Sequence, residues 1–107
     1  MTGALRAAGA DRHHRILDVV RALRPGEVVS YGDVAADAGV GRQSRLVGRL
    51  LATADDESLP WWRVVNSAGR LVPGLEAEQA ALLRGEGVDV DGTRVRRAAY
   101  GRFSRRP

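Results

Sequence analysis

Cysteine is absent from the sequence, which excludes disulfides, thiolate metal sites and any mechanism that starts from a sulfur nucleophile in these 107 residues. Lysine is absent too: all 17 basic residues are arginine, against 13 acidic ones, for a formal net charge of +4. Arginine-only basicity fits the coding bias of a GC-rich genome as well as selection for arginine chemistry. Either way the excess points to polyanionic partners. No apolar run approaches the ~20 residues that a membrane span requires. The N-terminal stretch MTGALRAAGADRHH lacks the apolar core of a secretory signal, so the expected location is cytoplasmic, with the nucleoid, and no membrane partner is expected. Aromatic residues make up only 5%, while 44% of the chain is hydrophobic and 28% charged. That composition belongs to one globular domain with a modest core.

Residues 1–10 are rich in alanine and glycine without periodicity and are expected to form a flexible leader. From Asp11, the spacing of Ile16, Val19, Val20 and Leu23 predicts an amphipathic helix that Pro25-Gly26 ends. Val28-Val29 predicts a short extended piece. Ser30 with Asp33 three residues later resembles a capping box, opening a second helix that stops at Gly39. A third helix, from about Arg42 to Ala52, carries Leu46, Val47, Leu50 and Leu51 on one face. At 100° per residue, Arg42, Arg45 and Arg49 lie within about 60° of one another on the opposite face, beside Gly48 and Ala52. Two short helices joined by a glycine-bearing turn make a helix-turn-helix reading, and an arginine stripe next to nearly bare backbone suits a phosphate-lined groove. An inert, solvated cationic face fits the same pattern.

Further on, Val64-Val65 suits a buried strand, and Ser67-Ala68-Gly69 and Pro73-Gly74 suit turns. Leu75 to Arg84 reads as a fourth helix closed by Gly85, and VDVDGTRV as a hairpin turning at Asp91-Gly92. The domain boundaries follow as 1–10 leader, 11–97 DNA-binding domain and 98–107 basic tail. The predicted class is mainly helical α+β, a helix-turn-helix or winged-helix-like domain with a small β-hairpin. Enzymatic candidates are sparse. His13 and His14 lack partners at metal-ligand spacing, and Ser44 and Ser67 have no base nearby, so neither a metal, a cofactor nor a nucleophilic hydroxyl is expected. The unusual feature is PWWRVVNS, with adjacent tryptophans at Trp61 and Trp62. On an extended segment neighbours face opposite ways, so one indole can anchor the core while the other lines a cavity and stacks on a flat guest such as a nucleobase.

Four segments in order, SYGDVAADAG, RLVGRLL, PWWRVVNSAGRL and LLRGEGV, resemble the DNA-binding domain of the O6-alkylguanine-DNA alkyltransferases over roughly residues 11–95. Where that family carries Pro-Cys-His-Arg-Val, Trp61 stands at the acceptor cysteine. The chain is thereby similar to the alkyltransferase-like subgroup, which binds alkylated guanine without removing the alkyl group. The resemblance implies that Tyr31 rotates the target nucleotide by crowding its 3′ phosphate. It implies that Arg45 enters the minor groove and fills the vacated stack, and that Gly48 lets its helix lie there. Val72, Pro73, Gly74 and Leu75 would close the base pocket with Trp61 and Trp62, while Arg42 and Arg49 are expected to contact DNA from their place on the wheel beside Arg45. Arg63, Asn66 and Glu86 would brace the pocket. Trp62 departs from the family histidine, and Glu86 matches the third member of a Cys-His-Glu relay whose other members are missing. The N-terminal domain of the active enzymes is also missing, which implies the binding half alone.

The implied protein is a cofactor-free, monomeric DNA damage sensor. Its partner is duplex DNA containing O6-alkylguanine, which it flips and presents to nucleotide excision repair proteins. The alternative carried by the residues alone is a helix-turn-helix transcriptional regulator without lesion specificity. A hydrolase or glycosylase built on Glu86 or an aspartate is a third reading, without a nucleophile or a His-activated water behind it.

Overall fold

The computed structural model describes residues 2–104, with side chains from Gly9 onward. Helix α1 (Thr2–Arg21) leads into strand β1 (Glu27–Ser30), α2 (Tyr31–Asp37) and α3 (Ser44–Thr53). A single 3-10 turn (Trp61–Arg63) then enters β2 (Val64–Val65), followed by α4 (Glu76–Gly85), the hairpin β3 (Asp89–Asp91) and β4 (Arg94–Arg97), and β5 (Tyr100–Gly101). The mixed α+β class and the paired short helices agree with the sequence pattern.

β1 organises the molecule. It runs parallel to β2 on one side and to β5 on the other, with Val29 opposite Val64 and Val28 opposite Gly101. Because successive residues of a strand point to opposite faces, Val29 and Val64 enter one apolar cluster while Val28 and Val65 enter another. The first cluster joins Ile16 and Val20 of α1 to Val34 of α2 and Val47 of α3. The second joins Leu83 of α4 to Val90 and Val95 of the hairpin. The capping box is present: Asp33 N donates to Ser30 Oγ and Ser30 N donates to the Asp33 carboxylate, both at 3.0 Å. It starts α2 immediately after β1 and so fixes the position of Tyr31, the first helical residue.

Four expectations require correction. Residues 2–10 are not a leader of irregular chain but the first turns of α1, because Ala4, Ala7, Ala8 and Ala10 favour helix enough to carry Gly3 and Gly9. Residues 98–104 are not a basic tail: β5 lies in the sheet, and Arg102 pairs with Asp33 at 2.9 Å. Gly101 permits this approach, since its φ is +89° and a Cβ there would overlap the carbonyl oxygen of Val28. Arg105 and Arg106 lie outside the described residues. Arg42 precedes α3, so only Arg45 and Arg49 share its outer face. The Trp61-Trp62 pair sits on a 3-10 turn and not on an extended segment.

Candidate nucleic-acid interface

α3 buries Val47 completely and packs Leu46, Leu50 and Leu51 against the helical core, which turns Arg45 and Arg49 to solvent. Arg42, just before the helix, is exposed as well. None of the three takes part in an ion pair among the described residues. Gly48 lies beside this stripe against the ring of Tyr31, where an added Cβ would stand 3.8 Å from Cε1. The cationic surface and the tyrosine therefore meet along one edge of α3.

Behind that edge opens a cavity of about 360 Å³, within the range of small-ligand sites and large enough for one nucleobase. It is lined by Tyr31, Gly48 and Leu51 from α2 and α3, by Trp61 from the 3-10 turn, and by Val72 and Leu75 from the loop before α4. The mixture of an indole, aliphatic side chains and a phenol suits a flat, partly apolar guest. Tyr31 is half-buried, and burial raises its phenol above the ordinary value, so at neutral pH it remains a protonated hydrogen-bond donor.

Trp62 is not part of this wall. Its ring packs on the second core cluster, perpendicular to Trp61 with centroids 6.2 Å apart, and its Nε1 donates to Glu86 at 2.8 Å. The 3-10 turn causes the division: it aims Trp61 outward and Trp62 inward, so the tryptophan pair splits between cavity and core. Pro73 lines a second cavity of about 190 Å³ that Tyr31 shares, alongside Asn66 and Arg70, and Gly74 lines neither of these two cavities.

The residues behind the tryptophan turn form a dense polar knot. The Glu86 carboxylate, just past the end of α4, accepts from Gly26 N at 2.9 Å, from Trp62, and from Arg63 Nε and Nη2, the last at 2.7 Å. Arg63 Nη1 also donates to the carbonyl of Leu23 at 2.8 Å. Burial alone would raise the Glu86 pKa, but the hydrogen bonds from Arg63, Gly26 and Trp62 together hold it below the usual range. With every donor aimed at it, this carboxylate anchors the turn and is not a free base. Asn66 Oδ1 accepts from Ala68 N and Arg70 N and shapes the turn after β2.

Two features were not legible in the sequence. The acidic segment Asp55, Asp56 and Glu57 lines the larger of these two cavities together with Glu78. Asp56 pairs with Arg21 at 3.3 Å, and the hydrogen bonds from Ser58, with Arg21 adding to them, lower its pKa. The second feature is Gln79, fully buried on α4 with its amide between the two cavity walls. Neither has a local signal, because both depend on segments brought together only by folding. Among the described residues no group of three His, Cys, Asp or Glu is placed to hold a metal ion.

Comparison with known proteins agrees with this geometry. Residues 11–88 match the family "6-O-methylguanine DNA methyltransferase, DNA binding domain". The DNA base-flipping protein of Escherichia coli K12 is 43% identical over 83 residues, which cover 74% of this chain and 64% of that protein. The chain thus spans just under two thirds of that relative's length. Alkyltransferase-like protein 1 of Schizosaccharomyces pombe is 31% identical over 81 residues, 71% of this chain and 75% of the relative. The structure of S. pombe Atl1 in complex with damaged DNA containing O6-carboxymethylguanine superposes with a TM-score of 0.71 at 29% identity, covering 77% of this chain and 81% of that one. With the family matched from α1 through α4 and the same fold in a solved relative, this chain belongs to the family of the 6-O-methylguanine DNA methyltransferase DNA-binding domain.

Proposed function

We propose that this protein is a non-enzymatic sensor of O6-alkylated guanine in duplex DNA. Arg42, Arg45 and Arg49 dock α3 by phosphate contact in the minor groove, where Gly48 allows close approach of the backbone. Tyr31 crowds the backbone of the target nucleotide and turns it out of the stack, and Arg45 fills the gap. The everted base enters the cavity, stacks on Trp61 and is enclosed by Val72 and Leu75. Pro73 and Gly74 shape that loop, while Trp62, Arg63, Asn66 and Glu86 support it from behind. Flipping costs a few kcal/mol, and less for a weakly paired alkylated base, which supplies part of the preference. Burial of the alkyl group supplies more, at about 0.8 kcal/mol per CH₂.

The observation that carries this reading is the base-sized, indole-walled cavity opening beside an unpaired arginine stripe in a chain without cysteine. The names of the relatives, a base-flipping protein and an alkyltransferase-like protein, support it. With no thiol to accept the alkyl group, a stable complex matters only when other proteins respond to it, so handover to nucleotide excision repair completes the proposal.

The test is a fluorescence titration of the tryptophans with a duplex holding one O6-methylguanine and with the unmodified duplex at the same salt. The expected result is tighter binding of the modified duplex, with the methyl group still on the guanine at the end of the incubation. Tyr31→Phe and Arg45→Ala are expected to weaken lesion binding more than plain binding. Equal affinity for the two duplexes defeats the sensor and leaves a helix-turn-helix protein that reads DNA without the lesion. Release of base or alkyl group with turnover points instead to an enzyme.

A further inference from the structure

We infer that Gln79 is a positioning residue that sets the spacing between the two walls of the base cavity. This rests on the reading of that cavity as the lesion pocket. The side chain is fully buried. Its Nε2 donates to the carbonyls of Trp62 and Val64, each at 3.1 Å, and its Oε1 accepts from Val72 N at 2.7 Å. One wall of the cavity, Trp61, is carried by the turn that contains Trp62. The other begins at Val72. The amide therefore ties the backbone of one wall to the backbone of the other.

Among the described residues no other hydrogen bond joins the segment from Trp61 to Val65 with the loop from Val72 to Leu75. Three backbone groups, two acceptors and one donor, converge on this point, and a primary amide supplies the two donors and the acceptor they require. Glutamate lacks the donors, lysine lacks the acceptor, and methionine of similar length lacks both. Each replacement leaves buried backbone groups unsatisfied and removes the bond that holds the two segments at a fixed spacing. Because Trp61 and Val72 both line the cavity, a change in their spacing changes how a flat base fits between them. None of the hydrogen bonds of Gln79 reaches α3, so the arginine stripe is not part of this network.

The experiment compares wild type, Gln79→Met and Gln79→Lys in the full chain, titrated with the O6-methylguanine duplex and with the plain duplex, beside thermal melting. Gln79→Met is expected to lower the preference for the modified duplex by about tenfold, the scale of one or two buried groups left unpaired, while plain-duplex affinity stays as it was. Gln79→Lys keeps the donors to Trp62 and Val64 and frees Val72 N, so an intermediate preference is expected. Val90→Ala, in the second core cluster, is the control for stability alone: it lowers the melting temperature and leaves the preference intact. An unchanged preference in both Gln79 variants, whatever their melting temperatures, overturns the inference. Should Gln79→Met not fold, Gln79→Lys decides by the same criterion. A wild type without preference overturns the lesion-pocket reading itself, and is told apart because it is seen before any variant is made.

Discussion

Glu86 illustrates how a charged group can serve position without chemistry. Its side chain and that of Arg63 are only 14% and 11% exposed, so their pair is held largely out of solvent, where removing one partner leaves the other uncompensated. The pKa of Glu86 is lowered from an ordinary value of 4.5. A carboxyl depressed by folding stabilises the native state above its unfolded pKa, and that contribution disappears as pH falls through the lower, folded value. Glu86→Gln is therefore expected to reduce stability at pH 7 by on the order of 3 kcal/mol. The gap between variant and wild type should shrink as the pH is brought below about 4.5, measured by denaturant unfolding at pH 7 and pH 3. A gap that persists undiminished in acid would mean that the charge of Glu86 contributes nothing to the knot behind Trp62. The same residue shows a limit of reading from sequence: the resemblance identified Glu86 as a relay member without its partners, whereas its actual partners, Gly26, Trp62 and Arg63, are set by the fold.

At the scale of elements, α3 was the most legible part of the chain, because its four apolar residues recur at helical spacing and its arginines fall opposite them. Its beginning was less so. Arg42 fits the same angular stripe, but the helix starts only at Ser44, so the wheel carries Arg45 and Arg49 and the loop carries Arg42. α2, with its capping box, was legible from Ser30 and Asp33 alone. β5 was not: two residues form a strand only because β1, over 70 residues earlier, offers an open edge. The 3-10 turn at Trp61 was hidden for a similar reason, since it depends on tertiary packing of Trp62 and the Glu86 knot. Gly48 offers a test of α3 as the docking element. A Cβ there would meet Tyr31 at ordinary contact distances of 3.8 and 3.9 Å, so the fold accepts Gly48→Ala. Replacing glycine inside a helix adds up to ~1 kcal/mol of stability. The new methyl group stands beside the arginine stripe, where the groove would approach, and duplex affinity is expected to fall by about tenfold, or ~1.4 kcal/mol. A variant that melts higher and binds DNA as before would remove α3 from the interface.

Over the whole molecule, the distribution of charge says more than its total. Of the arginines, Arg15, Arg21, Arg24, Arg63, Arg96 and Arg102 face carboxylates of the same chain, and Arg102 in particular fastens β5 to the capping box beneath Tyr31. These charges are offset by partners in the same chain, and Asp55, Glu57 and Glu78 add negative charge to the lining of the cavity. Among the exposed arginines without a carboxylate partner in the described residues, Arg70, Arg94 and Arg97 lie after β2 and on β4, while Arg42, Arg45 and Arg49 cluster at α3 and are, on the proposed reading, the group that displaces counterions from DNA. Each phosphate neutralised on a duplex contributes about −0.9 to the slope of log affinity against log salt. Three such contacts give a slope of about −2.7 for plain duplex, much shallower than a net charge spread evenly over all arginines would produce. Arg42→Ala and Arg49→Ala should each flatten the slope by about 0.9, for modified and plain duplex alike. Arg96→Ala, which breaks an exposed pair with Asp91, should leave it unchanged. If Arg96→Ala flattens the slope as much as Arg42→Ala does, the DNA lies along the β3-β4 hairpin as well as or instead of α3, and docking by the α3 arginines no longer accounts for plain-duplex binding.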